Sequence, residues 1–154
     1  MASSTANVAM DTVPALRLTR SFSAPREAVF KAWTDPEELA KWFGPTGITA
    51  RDVKVDLRPG GNYSLMMVGE KGTHPLSGVY REIKAPERLV FSWIWGAGDL
   101  DGVEMQVTVE FEDTKDGGTM LTLTHERLPS LEASEHHTQG WTGCLDSLQE
   151  YLAK

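Results

Sequence analysis

The chain has 154 residues, 40% of them hydrophobic and 24% charged, with a formal charge of −7 at neutral pH. That size and balance fit one globular domain that needs no disulfide or metal staple, and an acidic excess without any Lys/Arg run argues against a nucleic-acid partner. One cysteine, Cys144, excludes an intramolecular disulfide and a Cys-rich zinc site, and fits a reducing compartment.

Met1 to Ala15 is rich in Ser, Thr and Ala and reads as a disordered tail. It has no basic n-region and no apolar h-region, and no segment approaches the roughly 18 apolar residues of a membrane span. The expectation is a cytoplasmic chain. Leu16 to Phe22 alternates like a half-buried strand. Pro25 suits the first position of a helix, where its missing N–H costs nothing, and Val29, Phe30 and Trp33 form an apolar stripe along that helix. Asp35 then caps a second short helix, with Pro36 in its first turn and Glu38 three residues after the cap. Leu39, Trp42 and Phe43 make its inner face, and Gly44-Pro45 ends it.

Beyond this point the apolar period drops to two. Strands are expected over Ile48 to Leu57, Tyr63 to Val68, Ser77 to Ile83, Leu89 to Trp95, Val103 to Phe111 and Met120 to Arg127. Arg58-Pro59-Gly60-Gly61, Ala85-Pro86-Glu87 and Asp116-Gly117-Gly118 read as turns, and Gly69 to Pro75 and Gly96 to Gly102 as loops. The helical period returns from Ser134 to Leu152, with Trp141, Cys144, Leu145, Leu148, Tyr151 and Leu152 on one face. Strand, two short helices, six strands and one long helix make an α+β chain. A curved antiparallel sheet of about seven strands wraps around the only element large enough to cover it, the C-terminal helix. Residues 16–154 form this domain, after the tail of residues 1–15.

Two features point to a hollow between sheet and helix. Five Trp is a high count, and indole is costly to leave in water. Gly140, in the interior of the long helix, forgoes helix propensity as though a neighbour or a ligand needed its space. Full interlocking of large wall residues with small helix residues is the alternative. The expected ligand wall takes Tyr80, Phe91, Trp93, Trp95 and Met105 from the sheet and Trp33 and Trp42 from the short helices. The long helix adds His137, Trp141, Cys144 and Leu145, and the last strand His125.

His125 shares the parity of Leu121 and Leu123, so it either orients a polar ligand group, acts as an acid or base, or is a satisfied core histidine. His137 shares the inner face of Trp141, while His136 points elsewhere; adjacent histidines on a helix do not chelate one metal, and no metal site is expected. Glu82 shares the parity of Tyr80 and is either a buried general base or a surface ion-pair partner of Arg81 or Lys84, depending on which face of its strand points inward. A bulge in that strand would invert the choice. Cys144 reads as a small apolar group. No nucleophile elbow, phosphate loop or dinucleotide fingerprint is present, so no catalytic residue and no cofactor is assigned.

Several runs carry a family resemblance. They are Ala24-Pro25 with Val29-Phe30, Trp33-Thr34-Asp35-Pro36-Glu37, Trp42-Phe43-Gly44-Pro45, Arg58-Pro59-Gly60-Gly61, Pro86 to Trp93, and Gly140-Trp141 with Leu145, Leu148 and Leu152. Together, from Leu16 to Leu152, they resemble the bacterial proteins similar to the C-terminal domain of the activator of the heat-shock-protein-90 ATPase. These belong to the START-like (birch-pollen-allergen-like, SRPBCC) helix-grip superfamily. The resemblance implies a helix-grip fold and a small hydrophobic or amphipathic ligand in an internal cavity. It also admits a cyclase or hydrolase acting through the cavity His and Glu residues, or a stress-response module with a chaperone or other protein partner.

Overall fold

A computed structural model describes residues 13–154, so most of the stretch read as a tail lies outside the described residues. The elements run β1 (Leu16–Phe22), α1 (Arg26–Thr34), α2 (Pro36–Trp42), β2 (Thr49–Val55), β3 (Asn62–Gly69), β4 (Gly72–Lys84), β5 (Arg88–Trp95), β6 (Glu104–Asp113), β7 (Thr119–Glu126) and α3 (Leu131–Leu152). All seven strands form one antiparallel sheet in the order β1-β7-β6-β5-β4-β3-β2. Consecutive strands pair as hairpins from β2 to β7, and β1 closes onto β7. The sheet curves around α3.

The inward rows are the alternating residues. Met105, Val107, Val109 and Phe111 of β6 and Leu121, Leu123 and His125 of β7 are almost fully buried. They face Leu145 and Leu148 of α3, which are buried to the same degree. Helices α1 and α2 bring Val29, Phe30, Trp33, Leu39 and Trp42 into the same core.

Local chemistry sets the ends of the elements, and several differ from the sequence reading. Pro25 is the N-cap of α1 and not its first residue: its extended backbone leaves its carbonyl to accept from the N–H groups of Ala28 and Val29. Asp35 caps α2 by accepting from the Glu37 N–H at 2.8 Å. Glu38 does not turn back to complete a capping box; it accepts from the Tyr151 hydroxyl at 2.9 Å and ties α2 to the end of α3. Helix α3 begins three residues earlier than its apolar period shows, because Ser130 caps it by accepting from the Ala133 N–H at 3.0 Å. The expected loop over Gly69 to Pro75 is a tight hairpin. Gly69 pairs with Gly72, whose φ of 125° closes the turn, and Thr73, His74 and Pro75 continue β4 opposite Val68, Met67 and Met66.

Strand β4 also carries a bulge. Tyr80 lies opposite Phe91 but Glu82 lies opposite Val90, so Arg81 is one residue in excess and the side-chain parity inverts there. Tyr80 and Ile83 face the core, whereas Arg81 and Glu82 both face solvent.

Candidate functional site

Sheet and helix do not meet along their whole length. A cavity of about 670 Å³ lies between the first half of α3 and the sheet end formed by β3, β4 and β5. Trp93 and Trp95 of β5 and Met67 of β3 supply its sheet wall. His136, His137, Gly140, Trp141 and Cys144 supply its helix wall. Phe43, Pro45 and Ile48 close one side from the α2–β2 loop, and Ala97 to Leu100 close another from the β5–β6 loop. Among the lining residues, Lys71, His74, Asp99 and His136 are exposed to solvent and carry polar or charged groups, which gives the apolar cavity a polar rim.

Two glycines of α3 explain how the helix can border both a loop and a space. A Cβ on Gly143 would lie 2.5 Å from the Pro45 Cβ, so only glycine lets the α2–β2 loop approach so closely. The Ser147 hydroxyl fastens that loop by donating to the Gly44 carbonyl at 2.9 Å. A Cβ on Gly140 would meet nothing within 4 Å, so the bare backbone there borders open space.

The histidines of the site are held by indoles. Trp95 donates from Nε1 to His137 Nε2 at 3.1 Å, and His137 Nδ1 donates to the Ala133 carbonyl at 2.8 Å. Trp141 donates from Nε1 to His125 Nδ1 at 3.0 Å, which leaves the proton of His125 on Nε2, 3.4 Å from the Met105 sulfur. The two imidazole centroids are 4.7 Å apart. Burial, with a smaller contribution from His137, pushes the pKa of His125 down to about 3. Burial also lowers that of His137, opposed in part by its bond to Ala133. Both rings are therefore neutral with fixed tautomers, and each lone pair is already engaged. Burial pushes the Cys144 thiol up to about 12, so it stays protonated and behaves as a small apolar group.

Five of the expected wall residues, Trp93, Trp95, His137, Trp141 and Cys144, border the large cavity. Trp33, Tyr80, Phe91 and again Trp93 border a second, smaller void of about 30 Å³ deeper in the sheet's curve. Trp42, Met105, His125 and Leu145 border neither. Trp42 is bonded to the Ala32 carbonyl at 2.8 Å, and Met105 and His125 lie at the end of the Trp141 hydrogen-bond chain. Glu82 is on the outer face, held by Arg88 at 3.3 Å and not by Arg81 or Lys84; Arg81 pairs with Glu104 at 3.0 Å. His136, expected to point away, stands on the cavity rim, because the opening lies to one side of the helix face that carries Trp141. The rim groups Lys71, His74 and Asp99 and the loop residues Pro45 and Ile48 carry no periodic signal that could have found them. Among the described residues no three His, Cys, Asp or Glu side chains converge as metal ligands, and no helix is long and apolar enough to cross a membrane.

A seven-stranded sheet gripping a long C-terminal helix beside two short helices is the helix-grip fold of START-like proteins, a fold whose members generally bind ligands in a cavity. The chain belongs to the family described as Activator of Hsp90 ATPase homolog 1-like protein, whose profile matches residues 23–153. Among solved structures it is similar to the AHSA1 protein from Silicibacter pomeroyi, with 32% identity over 91% of this chain and 98% of that one, and a TM-score of 0.81. A protein from Chromobacterium violaceum is 28% identical over 90% of this chain and 96% of that one, with a TM-score of 0.79. CalU16 from Micromonospora echinospora is 27% identical over 90% of this chain and 75% of that one, with a TM-score of 0.65. No curated protein matches the chain.

Proposed function

We propose that the protein binds a small hydrophobic or amphipathic molecule in the cavity between α3 and the sheet. One observation carries this: a pocket of about 670 Å³ that opens to solvent at its rim, within the roughly 300–1,000 Å³ of small-molecule sites, walled largely by aromatic and apolar groups and rimmed by a few polar ones. The deep imidazoles support binding over reaction. With both lone pairs accepting from indoles, neither is free to take a proton from a ligand, and Glu82 lies on the other face of the sheet.

Gly140 supplies the test. A Cβ placed there meets nothing within 4 Å and Gly140 borders the cavity, so Gly140→Phe is the variant aimed at filling the space, while Gly140→Ala barely changes it. Fatty acids, sterols, flavonoids and polyketide-like aromatics are titrated while intrinsic Trp fluorescence is followed. Saturable quenching or a blue shift in the wild type and Gly140→Ala, lost in Gly140→Phe, is the expected result. No response across the panel overturns the reading and turns attention to a protein partner.

A further inference from the structure

The mouth of the cavity differs in charge from the chain as a whole. The chain carries a net −7, yet the exposed titratable side chains that line the opening are one lysine, two histidines and one aspartate. Lys71 lies in the turn of the β3–β4 hairpin, and its neighbour Glu70 does not line the pocket. His74 lies on β4 directly opposite Met67 of the sheet wall, and residues paired in this way present their side chains on one face. It extends the inward row of Tyr80, Gly78 and Leu76 out to the opening. His136 stands one helical turn before Gly140 and two before Cys144, so the three form one stripe of α3 along the cavity. Trp95 links the two sides of the mouth: its ring centroid is 6.4 Å from that of His74 and 6.3 Å from that of His137, the neighbour of His136. Lys31 and Lys84 are paired with Glu38 and Glu87, whereas among the described residues Lys71, His74 and His136 have no carboxylate partner.

We propose that this mouth recognises an acid: the cavity takes an apolar body, and a carboxylate at its open end accepts from Lys71 and His74 of the hairpin, with His136 adding to the donor side from the helix. This rests on the cavity being a ligand site, and it names the ligand's class. The ammonium of Lys71 offers three donors, and an imidazole keeps at least one N–H in either protonation state, so both carboxylate oxygens can be met. The rim suits a carboxylate where the depth does not. At the opening water still reaches the charge, whereas the inner wall holds indoles, Met67, Cys144 and a neutral His137 whose nitrogens are engaged. Asp99, from the β5–β6 loop, is the one acid among the lining residues. Set against a single lysine, it disfavours a second negative charge, so a monocarboxylate fits better than a phosphate monoester with its charge of about −1.5 to −2.

Two pairs of compounds share a skeleton and differ in charge: decanoate with decan-1-ol, and 2-naphthylacetate with 2-naphthylacetamide. Each is titrated calorimetrically into the wild-type chain at neutral pH. In whichever skeleton binds, the acid is expected to bind about tenfold more tightly than its neutral partner. That advantage should shrink between about 0.05 M and about 0.5 M NaCl, while the neutral compound holds its affinity. Lys71→Gln and His74→Gln replace exposed side chains, and each should lower the acid's affinity about two- to fivefold and leave the neutral partner unchanged. Lys115→Gln, in the turn at the far end of β6, makes the same change in net charge and should alter neither. Equal affinities within a pair overturn the acid site and leave the cavity reading standing. So does an advantage that Lys71→Gln and His74→Gln leave intact or that Lys115→Gln lowers as much, and so does a panel response confined to neutral compounds. Binding of none of these compounds, with no response to the wider panel, overturns both.

Discussion

Gly140 and Gly143 sit three residues apart in one helix and answer to opposite demands. Replacing Gly140 by Ala adds a methyl group to open space and removes the helix penalty of glycine, so it should stabilise the chain by about 0.5–1 kcal/mol. Gly143→Ala gains the same propensity but drives its Cβ into Pro45, so it should destabilise by about 1–3 kcal/mol. Urea midpoints of the two variants check the difference in sign. A helical glycine is visible in sequence as an anomaly. Which anomaly means a space and which a close approach is decided by a loop nearly a hundred positions away. His125 makes a second residue-scale case. Its folded-state pKa of about 3 lies below the ordinary 6.5, so the unfolded chain takes the proton first as pH falls. The stability that a neutral His125 contributes is complete above pH 6.5. It is lost on the way down to 3, at up to about 1.4 kcal/mol per pH unit, and the lowered His137 acts in the same direction. Thermal melts between pH 7 and 4 should show this fall, and His125→Gln should flatten part of it.

At the scale of elements, β1, β6 and β7 were readable because their core residues recur at every second position, although Thr108 of β6 and Thr122 of β7 are buried as well. Strand β4 was half readable. Its period is interrupted at Arg81, so counting positions from Tyr80 leaves the face of Glu82 open until the extra residue is located. The hairpin at Gly72 was missed for a related reason: Gly69, Gly72 and Pro75 are chain breakers in isolation, yet the turn uses the positive φ of one and the ladder tolerates the others. Helix α3 owes its start to one hydroxyl and its seat to one row of side chains. Ser130→Ala should cost about 1 kcal/mol, and Leu148→Ala, deleting a fully buried side chain under the sheet, about 2–5 kcal/mol. Chemical denaturation of both variants would measure the ratio of cap to core in this helix.

Over the whole molecule, the grip of sheet on helix followed from element order alone, since only α3 is long enough to cover seven strands. The cavity did not follow in detail. Its walls combine periodic elements, from which Trp93, Trp95, His137, Trp141 and Cys144 were anticipated, with loops whose placement no periodicity encodes, such as Pro45 and Ala97 to Leu100. A ligand that binds only the folded chain must raise its melting temperature; at a hundredfold excess over Kd the gain is about 2.7 kcal/mol. Gly140→Phe should already occupy the space and show no further rise.

The indoles are also joined to one another. Trp42 lies 5.0 Å from Trp33, Trp33 5.8 Å from Trp141, Trp141 5.0 Å from Trp93, and Trp93 5.5 Å from Trp95. Such spacings make the five rings one optical unit: light absorbed by any of them migrates along the row before it is emitted. A quencher resting at the cavity mouth beside Trp95 would then dim all five together, and the protein's own glow would report that the cavity is filled while keeping silent about where in it the guest has settled.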